Sequence, residues 1–151
     1  MSAELFWQSP VSPPYAGYEP VSYAYFDPKY KELNDTQRSY IQDYLADFET
    51  ALVDRNFKDP AQGYRAYMDI PSLVDMLILN EFTKEVDAYL FSHYFYKQKD
   101  SDGGLLVNGP PWDYNLALGN NDYYNDVHLT YNLLYNQDNI VYWWKIGRAH
   151  V

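Results

Sequence analysis

The chain has 151 residues, 47% apolar and 19% aromatic, with 18 tyrosines and a formal net charge of −10. That length suits one domain with a real core, the composition is globular, and the acidity argues against direct nucleic-acid binding, which depends on Lys and Arg neutralising phosphates. No apolar run approaches the roughly 20 residues that span a bilayer, the first residues lack the basic and apolar regions of a signal peptide, and the absence of cysteine excludes disulfides, thiolate zinc sites and Cys nucleophiles.

Residues 1–34 are rich in Pro, Tyr and Ser, with Pro10, Pro13, Pro14, Pro20 and Pro28 spaced through them. Proline removes backbone donors and disfavours helix in the residue before it, so this lead-in is expected to be extended chain and turns. One strand is expected over residues 21–26, where Val21, Tyr23 and Tyr25 alternate with smaller residues. A helix then opens at Asn34-Asp35-Thr36, with Asp35 as the expected N-cap. Tyr40, Ile41, Tyr44, Leu45, Phe48 and Leu52 recur at helical spacing, while Gln42, Asp43, Asp47 and Glu49 lie off that stripe. The helix should end near Arg55-Asn56, and Asp59-Pro60-Ala61-Gln62-Gly63 reads as a turn.

Ser72 followed by Asp75 is a capping-box-like start for a second helix. Leu73, Val74, Met76, Leu77, Ile78, Leu79 and Phe82 cover most of its circumference, a pattern that predicts a buried helix. Asn80 and Glu81 close it and are expected to tie down the loop that follows. Residues 92–97 have strand composition, and Leu105-Leu106-Val107 should pair with them across Asp100-Ser101-Asp102-Gly103-Gly104, a hairpin with Gly at the tight position. The Asn- and Tyr-rich residues 121–126 predict a long loop, and Tyr142-Trp143-Trp144 another packed element. Ile146-Gly147-Arg148-Ala149-His150-Val151 matches one reading frame of a common sequencing adapter and is set aside as non-native, which marks the chain as a fragment. His93 is expected to be a packed strand residue and His128 a solvent-exposed loop residue. There is no internal repeat.

Two acidic residues, Asp87 and Asp113, flank the expected hairpin. Phosphoryl transfer uses such a pair, one carboxylate accepting the proton of the attacking hydroxyl and another holding the Mg²⁺ that bridges the nucleotide phosphates. Two Asp residues about 26 positions apart are weak evidence by themselves, because surface charges and loop caps give the same spacing.

The words around them are more specific. Asn80-Glu81, Val86-Asp87-Ala88, the aromatic residues 92–96, and Gly109-Pro110-Pro111-Trp112-Asp113-Tyr114-Asn115 with Leu118-Gly119-Asn120 together resemble the CotH (spore-coat protein H) kinase-like family, in its bacterial branch. The resemblance covers roughly residues 30–144. It implies an α+β, atypical protein-kinase-like fold in which this chain is a C-lobe-like fragment with a buried helix, a β-hairpin and long loops. Residues 1–34 would be the remnant of an N-terminal lobe, residues 35–145 the C-lobe portion and residues 146–151 the non-native tail. It further implies ATP and Mg²⁺ as cofactors, and phosphate transfer to Ser or Thr of secreted, surface or coat proteins. Carried over, Asp87 matches the catalytic-loop Asp and Asp113 the metal-binding Asp, with Asn115 as a second metal-side and nucleotide-side ligand.

Departures from the pattern fall on the metal side. Kinases place Asn five residues after the catalytic Asp to hold a second Mg²⁺, and here that third candidate ligand is Ser92. Asn115 stands where relatives carry Asp, and hard cations favour carboxylate oxygens. No Gly-rich phosphate loop is present, since Gly17 stands alone and Gly103-Gly104 belong to the hairpin turn. The fragment itself is therefore expected to be inactive. The rival readings are a surface or coat-assembly module that keeps the fold without catalysis, and a glycan-binding face built from the aromatic residues.

Overall fold

Asn34 starts the first helix by closing a reciprocal cap. Its side chain accepts from Gln37 N at 2.9 Å and the Gln37 side chain accepts from Asn34 N at 3.0 Å, satisfying two amides that the first turn leaves without partners. In the computed structural model, which describes residues 6–14, 17–122 and 131–134, this helix, α1, is Asp35–Val53. The N-cap is thus one residue earlier than expected, because Asn34 and not Asp35 has Gln37 three positions ahead. The residues fall into two compact units, Met1–Tyr64 and Arg65–Val151, so α1 groups with the chain that precedes it.

In the first unit two short strands, β1 (Phe6–Gln8) and β2 (Ser22–Ala24), pair antiparallel with Trp7 opposite Tyr23. The lead-in therefore contains a second strand that its proline content concealed. The Trp7 ring lies 5.3 Å from that of Tyr23 and 4.4 Å from that of Tyr25, the spacing at which aromatic pairs attract. Leu45, Phe48, Ala51 and Leu52 of α1 are buried, and each large apolar side chain so placed contributes about 1.5–3 kcal/mol. Glu49, expected off the stripe, is instead fully buried, because Ser9 Oγ and Tyr23 OH both donate to its carboxylate. After α1, Asp59 Oδ1 accepts from Ala61 N at 2.8 Å and Gln62 N at 2.9 Å, forming the expected turn. Gly63 closes it against backbone: a Cβ there would sit 2.1 Å from the Phe57 carbonyl oxygen.

The second unit is built on α2, Ile70–Thr83. Asp69, not Ser72, caps it, accepting from Ser72 N at 2.9 Å, and Pro71 lies in the first turn, where its missing N–H costs nothing. Ser72 has a different task. Its hydroxyl donates to Asp69 O and accepts from Asn108 N at 2.9 Å, tying the helix start to the hairpin. That hairpin pairs β3 (Phe95–Lys97) with β4 (Leu106–Asn108), Tyr96 opposite Val107. Its turn carries Gly103 and Gly104 at φ +107° and +69°, conformations that glycine adopts without a Cβ penalty. Val86, Tyr89 and Leu134 form a buried cluster on which Leu77 and Leu116 pack.

The expectation that α2 is buried all round does not hold. Met76 and Asn80 are buried, but Val74, Ile78 and Phe82, one turn apart, are 44%, 61% and 79% exposed. The hairpin and the loops cover one face of the helix only. Tyr142-Trp143-Trp144, His128, most of the 121–126 loop and the 146–151 tail lie outside the described residues. No helix among the described residues is long and apolar enough to cross a membrane.

Candidate functional site

Two loops carry the residues singled out from the sequence. The first leaves α2 through Lys84, whose left-handed backbone at φ 55° ends the helix. It then folds on Asp87, whose carbonyl oxygen accepts from Leu90 N at 3.1 Å, Phe91 N at 2.9 Å and Ser92 N at 3.0 Å. The main chain of Asp87 is fixed by this turn, while its side chain is half-buried. Ser92 is buried at the end of the turn.

The second loop follows β4. Gly109 N donates to Tyr94 O at 2.8 Å, and the chain turns at Asp113, which has φ 59° and ψ 51°. Asp tolerates this left-handed conformation better than most residues because its short polar side chain bonds locally. A single 3-10 turn, Tyr114–Leu116, comes next. Leu118 N then donates to Thr83 O at 2.6 Å, and Asn120 Nδ2 donates to Asn115 O at 2.7 Å. Asp113 and Asn115 are exposed.

The end of α2 holds both loops, whereas Asn80 and Glu81 were expected to tie down only the one that follows; Glu81 does so and Asn80 holds the later loop. Asn80, fully buried, accepts at Oδ1 from the Tyr114 hydroxyl. Glu81 accepts from Tyr89 OH at 2.6 Å and from Leu134 N at 2.8 Å. Burial pushes the Tyr114 hydroxyl up to about 12, and the nearby Glu85 charge adds to the rise.

Glu85 went unremarked in the sequence and is the residue common to both loops. It is fully buried. Its Oε1 accepts from Asp87 N at 3.3 Å, and the Leu116 backbone also bonds its carboxyl. Burial raises its pKa above the usual carboxylate range. The charges of Asp87 and Asp113 raise it further, while the two backbone amides pull it down. The charges of both aspartates thus act on one carboxyl group, although 26 positions separate them in the chain. No local signal marks Glu85 in the sequence: it lies between Lys84 and Val86 in a turn, with no apolar periodicity to show that it points inward.

Could these residues hold a metal? Among the described residues no group of three or more His, Cys, Asp or Glu side chains is gathered around one point, so a cage made of protein alone is excluded there. The Asp113 and Asn115 pair fits a hydrated ion that takes its remaining ligands from water and phosphate, as Mg²⁺ does. With its amide nitrogen turned inward, Asn115 donates to Asp113 O at 3.1 Å and Asp113 Oδ1 at 2.9 Å. With the amide rotated by half a turn, its oxygen takes the place of that nitrogen. Adjacent ligands of an octahedral ion bound at about 2.1 Å lie about 3.0 Å apart. One amide rotation thus converts a self-satisfied pair into two adjoining ligands. Ser92 is buried at the end of the other loop's turn.

His93 lies beside this region but turns into the fold. Its Nε2 is 3.0 Å from Asn108 Oδ1, and burial lowers its pKa to about 4 against the rise from that hydrogen bond. It is a packed residue, as expected, but it precedes the strand, which begins only at Phe95 and not at Ser92.

No curated protein and no solved structure matches the chain. The sequence profile of the family described as CotH kinase protein matches residues 9–147, a span that takes in both loops, the hairpin and both helices, and the chain therefore belongs to the CotH kinase protein family.

Proposed function

We propose that the protein carrying this chain is an atypical kinase that moves the γ-phosphoryl group of ATP to a Ser or Thr hydroxyl of a secreted, surface or coat protein. What supports this reading is the family match over residues 9–147, which takes in both aspartates, together with the hydrogen bond from Asp87 N to the buried Glu85 carboxyl. Phosphoryl transfer needs a proton acceptor and a cation ligand side by side. In this reading the Asp87 carboxylate accepts the proton of the attacking hydroxyl as its oxygen bonds to the γ-phosphorus and the bond to ADP breaks. The turn that binds the Asp87 carbonyl oxygen to three amides fixes the main chain from which that carboxylate projects. Asp113 and Asn115 would hold Mg²⁺, which would supply positive charge to offset that on the phosphate oxygens. Asp113 is exposed and Ser92 buried, so cation binding falls chiefly on Asp113.

The test is calorimetric titration of Mg·ATP into the chain and into the longest reading frame that contains it, with Asp113→Ala in each. Saturable binding that Asp113→Ala abolishes supports the nucleotide site, and phosphate transfer lost in Asp87→Asn supports the proton acceptor. One observation favours a second reading, a family member that keeps the fold as a coat-assembly or surface module without catalysis. The candidate for the second metal position, Ser92, is short, neutral and buried. Nucleotide binding without transfer to any acceptor would favour that module.

A further inference from the structure

Glu85 has two oxygens with different fates. Oε1 faces the Asp87 amide, and the carboxyl is also bonded by the Leu116 backbone, so one group spans the loop of Asp87 and the loop of Asp113. Oε2 is buried and has no hydrogen-bond partner among the described residues. Among the described residues, the charges that act on this carboxyl are those of Asp87 and Asp113. Close by, Asn80 is also fully buried. Its Oδ1 is engaged by Tyr114, whose hydroxyl feels the Glu85 charge, but its Nδ2 has no partner. A buried acceptor and a buried donor, both next to Tyr114, are the arrangement that an ordered water satisfies. Such orphans are costly, about 1–3 kcal/mol each for neutral groups and more for a carboxylate.

We propose that Glu85 is a positioning residue of this site, facing both loops and accepting at Oε2 from a water of the hydrated cation held at Asp113. The proposal rests on the reading of Asp113 as a cation ligand. Mg²⁺ keeps several of its waters in such sites, and outer-shell partners orient what the ion binds. Glu85 does not touch the ion. It fixes the separation of the loops that present Asp87 and Asp113, and it holds a shell water from behind.

The experiment uses the 151-residue chain, Mn²⁺ alone as the probe, and three variants: Glu85→Gln, Glu85→Ala and Asp113→Ala. Mn²⁺ affinity is read by electron paramagnetic resonance, and loop closure by hydrogen exchange at the Asp87 and Leu116 amides without metal. Glu85→Ala should weaken Mn²⁺ about 10- to 100-fold and speed exchange at both amides. Glu85→Gln keeps an acceptor at Oε1 but replaces Oε2 with a donor, so it should restore slow exchange and leave Mn²⁺ binding weak. That split distinguishes the proposal from a purely structural role, in which glutamine rescues both readouts together. Unchanged Mn²⁺ affinity in Glu85→Gln overturns the proposal, as does unchanged exchange at either amide in Glu85→Ala. If Glu85→Ala does not fold, the affinity of Glu85→Gln decides. Equal Mn²⁺ binding by the unaltered chain and Asp113→Ala identifies a different failure, that of the cation reading itself, and the role of Oε2 falls with it.

Discussion

Replacing Tyr114 by Phe removes one oxygen, yet it should cost much more than a typical surface change. The hydroxyl supplies the hydrogen bond to Asn80 Oδ1, and Asn80 is fully buried with Nδ2 already lacking a partner. Without the hydroxyl that amide oxygen is stranded in the interior. Leaving one buried acceptor unsatisfied costs about 1–3 kcal/mol, which in a chain of this length corresponds to a fall in Tm of about 2–12 °C. Urea unfolding of the unaltered chain and Tyr114→Phe measures it directly. Tyr131→Phe is the reference, because its ring is 64% exposed and a surface change of this kind stays within about 0.5 kcal/mol. The pair can be taken further: replacing both partners with apolar groups removes the stranded dipole, so Asn80→Leu combined with Tyr114→Phe should be less destabilising than the two single costs added. A Tyr114→Phe protein within about 0.5 kcal/mol of the unaltered chain would refute the view that this bond anchors the second loop.

Other outcomes follow from single residues. His93 is held neutral with its pKa lowered to about 4. The unfolded chain therefore binds the extra proton first as pH falls below about 6.5. The stability that His93 contributes is complete above that value and is lost as pH drops toward 4, by about 3 kcal/mol in all. The stability difference between the unaltered chain and His93→Gln should follow this curve, and a difference independent of pH would contradict it. Gly63→Ala should unfold or severely destabilise the first unit, since its Cβ would lie 2.1 Å from the Phe57 carbonyl oxygen, and circular dichroism showing native helix at room temperature would contradict that.

Much of the scaffold is written locally. Leu45, Phe48 and Leu52 announce α1 through their spacing alone, and Gly103-Gly104 mark the tight end of the hairpin, because periodicity and positive φ are properties of short stretches. What the sequence hid depends on partners distant in the chain. Glu49 is polar and off the apolar stripe, and only the hydroxyls of Ser9 and Tyr23 explain why it is buried. Ser72 has the look of a helix cap but bonds Asn108, 36 positions later. Strand β1 is three residues long, too short to show alternation. At the candidate site the two aspartates were legible through the words around them, Trp112-Asp113-Tyr114 above all. Glu85, on which the charges of both act, was not, since a carboxylate in a turn is ordinarily solvated. The exposed Val74, Ile78 and Phe82 teach the converse lesson: an all-apolar helix says what would bury well, not how much covering chain is there.

The backbone of Asp113 has one more consequence. Its left-handed conformation, φ 59°, is one that glycine enters freely and that disfavours other residues by about 1–2 kcal/mol. A loop selected for folding alone would carry glycine there, and the second unit would be more stable for it. Aspartate at that corner is a trade of robustness for a carboxylate held at a fixed angle to the loop. Random substitution followed by selection for heat resistance should therefore recover Asp113→Gly readily, in a protein that survives better and has lost the group around which its loop is shaped.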